Sequence, residues 1–282
     1  PLGRWWMDRS VTLAGQSWIL EADRQRATVD LANGGRLASL TVEGYELLPA
    51  GGADTFHWGS FVLAPWTGRV RDGRFTFADE GYQLPLTAPP HAIHGLVADV
   101  PWQAIAPGSL GVELRDPWPW SGRVVHSMRL EPDRLESRLE IHADEAMPVA
   151  IGWHPWFLRE LDGPGGLLGP VELDVAPGGM YEHGPDELPT GQIVAPKPRP
   201  WDDCFIDLAD APRLRWPGRE RNGLELTVES DCPCWVLYDK EPQAIAVEPW
   251  TAPPDSLNLP DPHILGPGET LAATMTWRWR LL

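Results

Sequence analysis

The chain has 282 residues, 43% of them hydrophobic and 22% charged, with 40 acidic against 23 basic side chains and a formal net charge of −17. That composition supports a substantial buried core and gives no stretch that demands disorder. An acidic field repels phosphate backbones and anionic lipid, which disfavours nucleic acid and membrane surfaces and leaves a small neutral molecule as the easier partner.

At the start of the chain, Pro1 to Trp6 precede the first methionine, Met7. No basic stretch leads into an apolar run there, and no run of about 18 apolar residues occurs elsewhere. The expectation is a cloning remnant over residues 1–6, a single domain over 7–282 and a cytoplasmic protein. Strands are predicted for Trp18 to Ala22, Ala27 to Leu31 and Arg36 to Val42, the last two joined across Asn33-Gly34-Gly35. Val124 to Leu130 and Leu135 to Ala143 form a predicted hairpin, with turn chemistry in Glu131-Pro132-Asp133-Arg134. The Gly/Pro-rich stretch from Asp162 to Pro170 reads as a surface loop.

Leu224, Leu226 and Val228 alternate with Glu225, Thr227 and Glu229, as a half-buried strand requires. Trp235 to Tyr238 and Ala244 to Val247 are short apolar runs, expected as strands buried on both faces. The clearest alternation closes the chain. Leu271, Ala273, Met275, Trp277, Trp279 and Leu281 share one face, with Thr274, Thr276, Arg278 and Arg280 on the other. No segment offers three turns of helix, and the 31 prolines and 16 tryptophans fit strands and elaborate loops. The predicted fold is therefore all-β, a large antiparallel sandwich with few short helices. The three cysteines, Cys204, Cys232 and Cys234, are an odd set without a Cys-x-x-Cys pair. They read as reduced thiols rather than as a disulfide or a zinc knuckle.

Several polar residues lie where packing alone would not put them. His154 sits in the nearly apolar Ile151-Gly152-Trp153-His154-Pro155-Trp156-Phe157. It is either a tuned acid or base or a hydrogen-bonded core histidine. Glu248 ends the buried-looking run Ala244-Ile245-Ala246-Val247 and reads as a general base or as a solvated strand end. His91 and His94, three apart without a helix or further ligands, make a poor metal site. Arg69 follows the rigid Pro65-Trp66-Thr67-Gly68 and could clamp sugar hydroxyls or remain on the surface. Of the adjacent Asp202 and Asp203, one is expected to face a site. Trp66 and Trp250, beside Arg69 and Glu248 in sequence, are candidate sugar-contacting aromatics. No dinucleotide or Walker loop, nucleophile elbow or His-Glu-x-x-His occurs.

In order along the chain, Pro65-Trp66-Thr67-Gly68-Arg69, His94-Gly95, His154-Pro155-Trp156-Phe157, Asp202-Asp203-Cys204-Phe205 and Glu248-Pro249 running to Pro254-Asp255 resemble the aldose 1-epimerase (galactose mutarotase) family. The resemblance implies the galactose mutarotase-like supersandwich with a sugar site in an open cleft. It implies that Glu248 takes the proton from the anomeric hydroxyl while His154 protonates the ring oxygen. His94 and Arg69 would bind and polarise the sugar, and Asp202 would accept hydroxyl hydrogen bonds. No cofactor and no metal is implied, the partner is a monosaccharide, and the protein would be a monomer or homodimer. The chain departs from the commonest pattern at Trp153, often Asn, at Leu96, often Gly, and at Asp203, often His. The alternatives are an epimerase for a hexose 6-phosphate, with Arg69, Arg71 and Arg74 on the phosphate, a glycoside hydrolase using Glu248 and Asp202, and a sugar-binding sandwich without catalysis.

Overall fold

The structure is a computed structural model that describes residues 11–14, 16–51, 55–218 and 223–282; the expected remnant at residues 1–6 lies outside them. The predicted alternations become two large antiparallel sheets, one of 12 strands and one of 8. In the smaller sheet, Gly122–Glu131 and Arg134–Ala143 form the expected hairpin, closed by the pair Glu131 and Arg134 around Pro132-Asp133. Thr270–Leu281 pairs with Arg134–Ala143 on one side and with Leu224–Ser230 on the other. Its Ala273, Met275, Trp277 and Trp279 are buried as predicted, whereas Leu281 at the strand end is 59% exposed. Among the described residues, helical structure is confined to two 3-10 turns, Arg71–Gly73 and Ser256–Asn258, and no helix is long and apolar enough to cross a membrane. All three cysteines are free and buried.

One apolar cluster fills the space between the sheets, joining Trp18, Leu40, Trp153 and Phe157 to Val124, Ile141 and Trp277. Phe157 and Trp277 meet across the sandwich with ring centroids 4.9 Å apart. The middle of the larger sheet sets the position of the site. Its strand order there runs Arg36–Val42, Ser60–Leu63, Gly152–Leu158, Ala244–Trp250, Cys234–Tyr238, Asp202–Leu208. Side chains alternate across a strand. Trp153, Phe157, Ile245, Val247 and Leu237 therefore enter the main core, while Phe61, Trp156, Ala246, Trp250, Val236 and Cys204 form a second, smaller cluster on the opposite face. This second cluster explains why Trp235 to Tyr238 and Ala244 to Val247 are apolar throughout: both faces of these strands are covered.

Candidate active site

His154 and Glu248 lie about a hundred residues apart in sequence but on neighbouring strands. Gly152 pairs with Trp250 and Trp156 with Ala246, so the same register sets His154 directly opposite Glu248. Cross-strand partners on one face are the closest neighbours a sheet provides. Their side chains meet at 3.4 Å, from His154 Nε2 to Glu248 Oε2, with 7% and 1% of each residue exposed. The row continues in both directions, because Phe61 pairs with His154 and Val236 with Glu248.

Burial sets the electrostatics of this pair. Glu248 is pushed well above the ordinary carboxylate range by loss of solvent and then by the Asp202 charge, with the Trp250 side chain opposing. His154 is pushed well below the ordinary histidine range, first by burial and then by His94, His57 and Arg36. Glu248 Oε2 and His154 Nδ1 are buried without a hydrogen-bond partner, as is His94 Nδ1. Buried polar atoms are normally satisfied. The three residues that carry these atoms help to line one cavity of about 320 Å³, together with Arg69, Asp202, Asp203 and Trp250. That volume is at the small end of the range for small-molecule sites.

A backbone device presents His94. Its φ is 64° and that of Gly95 is 79°, so two consecutive residues are left-handed. His94 N–H donates to Gly68 O at 2.9 Å, and Leu96 N–H to Ala64 O at 2.8 Å. A Cβ on residue 95 would lie 2.0 Å from Ala64 O, so only glycine fits there. A non-glycine residue in this region costs of order 1–3 kcal/mol and persists where the surroundings over-determine it. The result sets the His94 ring edge-on to His154 at 5.1 Å and to Trp250 at 6.0 Å. Burial, then the Arg69 charge, holds His94 down at about 3, so it enters the cavity as a neutral imidazole. Arg69 is fixed by the two-strand pairing of Arg69 with Ile93 and by its carbonyl, which accepts from Asp255 N–H at 2.7 Å.

Both aspartates line the cavity, where only one was expected to face a site, and they differ in how they are tied. Asp203 is 2% exposed; its carboxylate meets Lys197 Nζ at 2.7 Å and His183 Nδ1 at 3.6 Å and accepts the Asp202 N–H at 3.0 Å. Asp202 pairs with Tyr238 across the strands, keeps a third of its side chain exposed and is only loosely tied to Lys240, at 3.6 Å. Asp202 therefore has the freer oxygens.

Trp66 does not join this group. It is 1% exposed in the inter-sheet core, 5.8 Å from Trp118, and does not line the cavity. Its place beside Arg69 in sequence suggested otherwise, but the turn between them sends the two side chains to different places. Trp250 does line the cavity, and its Nε1 donates to Trp153 O at 3.2 Å. Trp153, one of the departures from the family pattern, faces away from the cleft and donates to His126 Nε2 at 3.1 Å. His91 lies apart from the cluster, its Nδ1 accepting the Asp72 N–H at 3.1 Å. Among the described residues no three His, Cys, Asp or Glu side chains are grouped to hold a metal ion. Nothing in the sequence singled out Phe61, which stacks on His154 at 4.7 Å and 19°, or His57, His183 and Tyr238 in the cavity wall, whereas Trp156, also in that wall, belongs to the His154 motif.

Residues 18–278 match the family model described as aldose 1-epimerase. The chain is 27% identical over 277 residues to the uncharacterized Escherichia coli (strain K12) protein YihR, covering 87% of each chain. Among solved structures, it resembles a galactose mutarotase-like protein from Clostridium acetobutylicum with a TM-score of 0.79 at 15% identity, over 96% of this chain and 98% of that one. It also resembles galactose 1-epimerase from Lactobacillus acidophilus NCFM with a TM-score of 0.74 at 18% identity, over 94% of each. At these identities the structural likenesses establish the fold.

Proposed function

Because the chain belongs to the aldose 1-epimerase family, we propose that it interconverts the α and β anomers of a free hexose, without a cofactor, by opening and reclosing the pyranose ring. The observation that carries this reading is the Glu248–His154 cross-strand contact of 3.4 Å at the wall of a small cavity. The two oxygens that exchange protons in ring opening, O1 and O5, are bonded to the same carbon. A base and an acid that serve them must therefore be near neighbours.

The pair shares one exchangeable proton. With that proton on His154, the Glu248 carboxylate takes the hydrogen from O1 as His154 gives its own to O5. The C1–O5 bond breaks, C1 becomes a free aldehyde, and O5 becomes a hydroxyl. Both enzyme groups are then neutral, the form that burial favours for each. Rotation about C1–C2 turns the other face of the aldehyde to O5, and the reverse transfers close the ring as the other anomer. A raised carboxylate is a stronger base than an ordinary one, and each positioned proton transfer contributes a factor of roughly 10²–10⁴. His94 and Arg69 supply donors to the sugar oxygens, and Asp202 supplies an acceptor.

The three arginines that a phosphorylated hexose would need do not converge. Arg71 is paired with Asp186 and Asp255, and Arg74 bonds Gln83 at an exposed position. A neutral hexose is the better fit. The test is optical rotation of freshly dissolved α-D-glucose and α-D-galactose. The wild-type protein should accelerate the approach to equilibrium, and Glu248→Gln should lower the rate by roughly 10²–10⁴ while remaining folded. A wild-type rate in that variant would remove Glu248 from the role.

A further inference from the structure

We propose that Arg36 is a positioning residue for His154, acting through the ring of Phe61. Resting on the acid–base reading above, this assigns a task to a buried cation that the mechanism does not otherwise use. Arg36 is 1% exposed, among the most deeply buried large side chains of the molecule. Removing a guanidinium from water is costly unless its surroundings compensate. Its surroundings are specific. Nη1 donates to Trp58 O at 2.9 Å and Nη2 to Ala98 O at 3.2 Å, so the fork is held by two segments distant in sequence. Its Cζ lies 4.7 Å from the Phe61 ring centroid and 4.1 Å from that of Trp58.

The strand order gives this contact its direction. Ser60–Leu63 lies between Arg36–Val42 on one side and Gly152–Leu158 on the other, so Phe61 separates Arg36 from His154. His154 stacks on Phe61 at 4.7 Å and 19°. The order is thus guanidinium, phenyl ring, imidazole, carboxylate, across four strands on one face of the sheet. A planar cation on a ring face is attracted by the ring quadrupole, the more so when both are out of water, which holds Phe61 in one orientation. Phe61 in turn sets the plane of the imidazole that must reach O5. The charged and titratable groups facing His154 are Glu248 from its neighbouring strand, His94 and His57 from loops, and Arg36 beyond Phe61. Arg36 is the permanent cation among those that disfavour the imidazolium.

Three variants test this: Arg36→Met, Arg36→Lys and Phe61→Leu. Each is measured for thermal midpoint, for kcat and KM of anomer exchange, and for the protonation midpoint of His154 by NMR of ¹⁵N-labelled histidine. Arg36→Met should lower kcat by about tenfold with KM changed by less than about twofold, and raise the His154 midpoint by about one pH unit. Arg36→Lys keeps the charge but loses the planar fork. Its midpoint should stay near wild type while kcat still falls. Phe61→Leu leaves the arginine in place and should reproduce the loss of kcat, which decides the matter if Arg36→Met does not fold. A folded Arg36→Met with wild-type kcat and an unmoved His154 midpoint overturns the proposal, as does Phe61→Leu with wild-type kcat. Should the wild-type protein exchange no anomers, the acid–base reading falls alone; the His154 midpoint in Arg36→Met still upholds or overturns the role of Arg36.

Discussion

His126 and His154 are both buried histidines, 3% and 7% exposed, and burial is the main cause that holds each below the ordinary histidine range. They are linked through adjacent residues of one strand. Trp153 reaches into the inter-sheet core and donates its indole N–H to His126, while His154, the next residue, turns to the other face and meets Glu248. Burial and a depressed pKa are thus common to both and distinguish nothing. What differs is the neighbour. His126 Nε2 is occupied by a fixed donor within apolar packing. His154 has a carboxylate displaced in the opposite direction and an open cavity beside it. Two groups whose environments push their affinities for protons apart, side by side, are what acid–base chemistry requires; one such group alone is ordinary core structure.

The widest separation between the two sites should come from removing each ring. His154→Asn should lower the rate of anomer exchange by roughly 10²–10⁴ and leave the thermal midpoint nearly unchanged. His126→Leu should do the reverse. It strands the Trp153 indole N–H without an acceptor, at a cost of about 1–3 kcal/mol, and should keep kcat per folded molecule. Polarimetry paired with thermal denaturation reads both. Equal kinetic losses in the two variants would dissolve the distinction.

Alternation made much of the sandwich legible in advance. Thr270–Leu281 and the hairpin Gly122–Glu131 with Arg134–Ala143 each have one wet face and one dry face, and their pattern is the physical imprint of that difference. The centre of the larger sheet was less readable for the same reason reversed. Ser60–Leu63 and Ala244–Trp250 are buried at every position, so nothing in their composition says which side chains face the cavity. Phe61 therefore drew no reading at all, and Arg36 entered only as the first residue of a predicted strand. Glu248 and His154 stood out as polar residues in apolar stretches, and their family resemblance suggested a partnership. The choice between Asp202 and Asp203 depended on Lys197 and His183, which reach Asp203 from other strands and loops. No local pattern encodes that.

A smaller effect, opposite in sign for the buried histidines and for the buried glutamate, should appear in stability against pH. His126 and His94 are held at about 3, below the value of about 6.5 expected in the unfolded chain. Between those limits the unfolded state binds more protons, so their contribution to stability is complete above pH 6.5 and is lost as pH falls toward 3. Glu248 works the other way. Its folded value is raised, so from about pH 4.5 upward the unfolded state binds fewer protons and stability is lost as pH rises. Wild-type protein should therefore denature in acid, and His126→Leu should lose less stability than wild type between pH 6.5 and pH 4. Glu248→Gln should be more stable than wild type at pH 7 and lose that advantage near pH 4. Chemical denaturation across this range measures both trends, and parallel profiles for wild type and the two variants would contradict them.

The smallest expected effect separates two tryptophans that looked alike in the sequence. Trp66 is enclosed in the core with its Nε1 lacking a hydrogen-bond partner. Replacing it with phenylalanine removes packing volume and also removes an unsatisfied donor, two changes that oppose each other. Trp66→Phe should shift stability by about 1 kcal/mol or less and leave KM and kcat for anomer exchange unchanged. Trp250→Phe alters the cavity wall beside Glu248 and gives up the hydrogen bond to Trp153 O. Its KM should rise severalfold, because that ring borders the space a sugar would occupy. If Trp66→Phe instead changed KM while Trp250→Phe did not, the cavity wall would have to be redrawn toward the inter-sheet core.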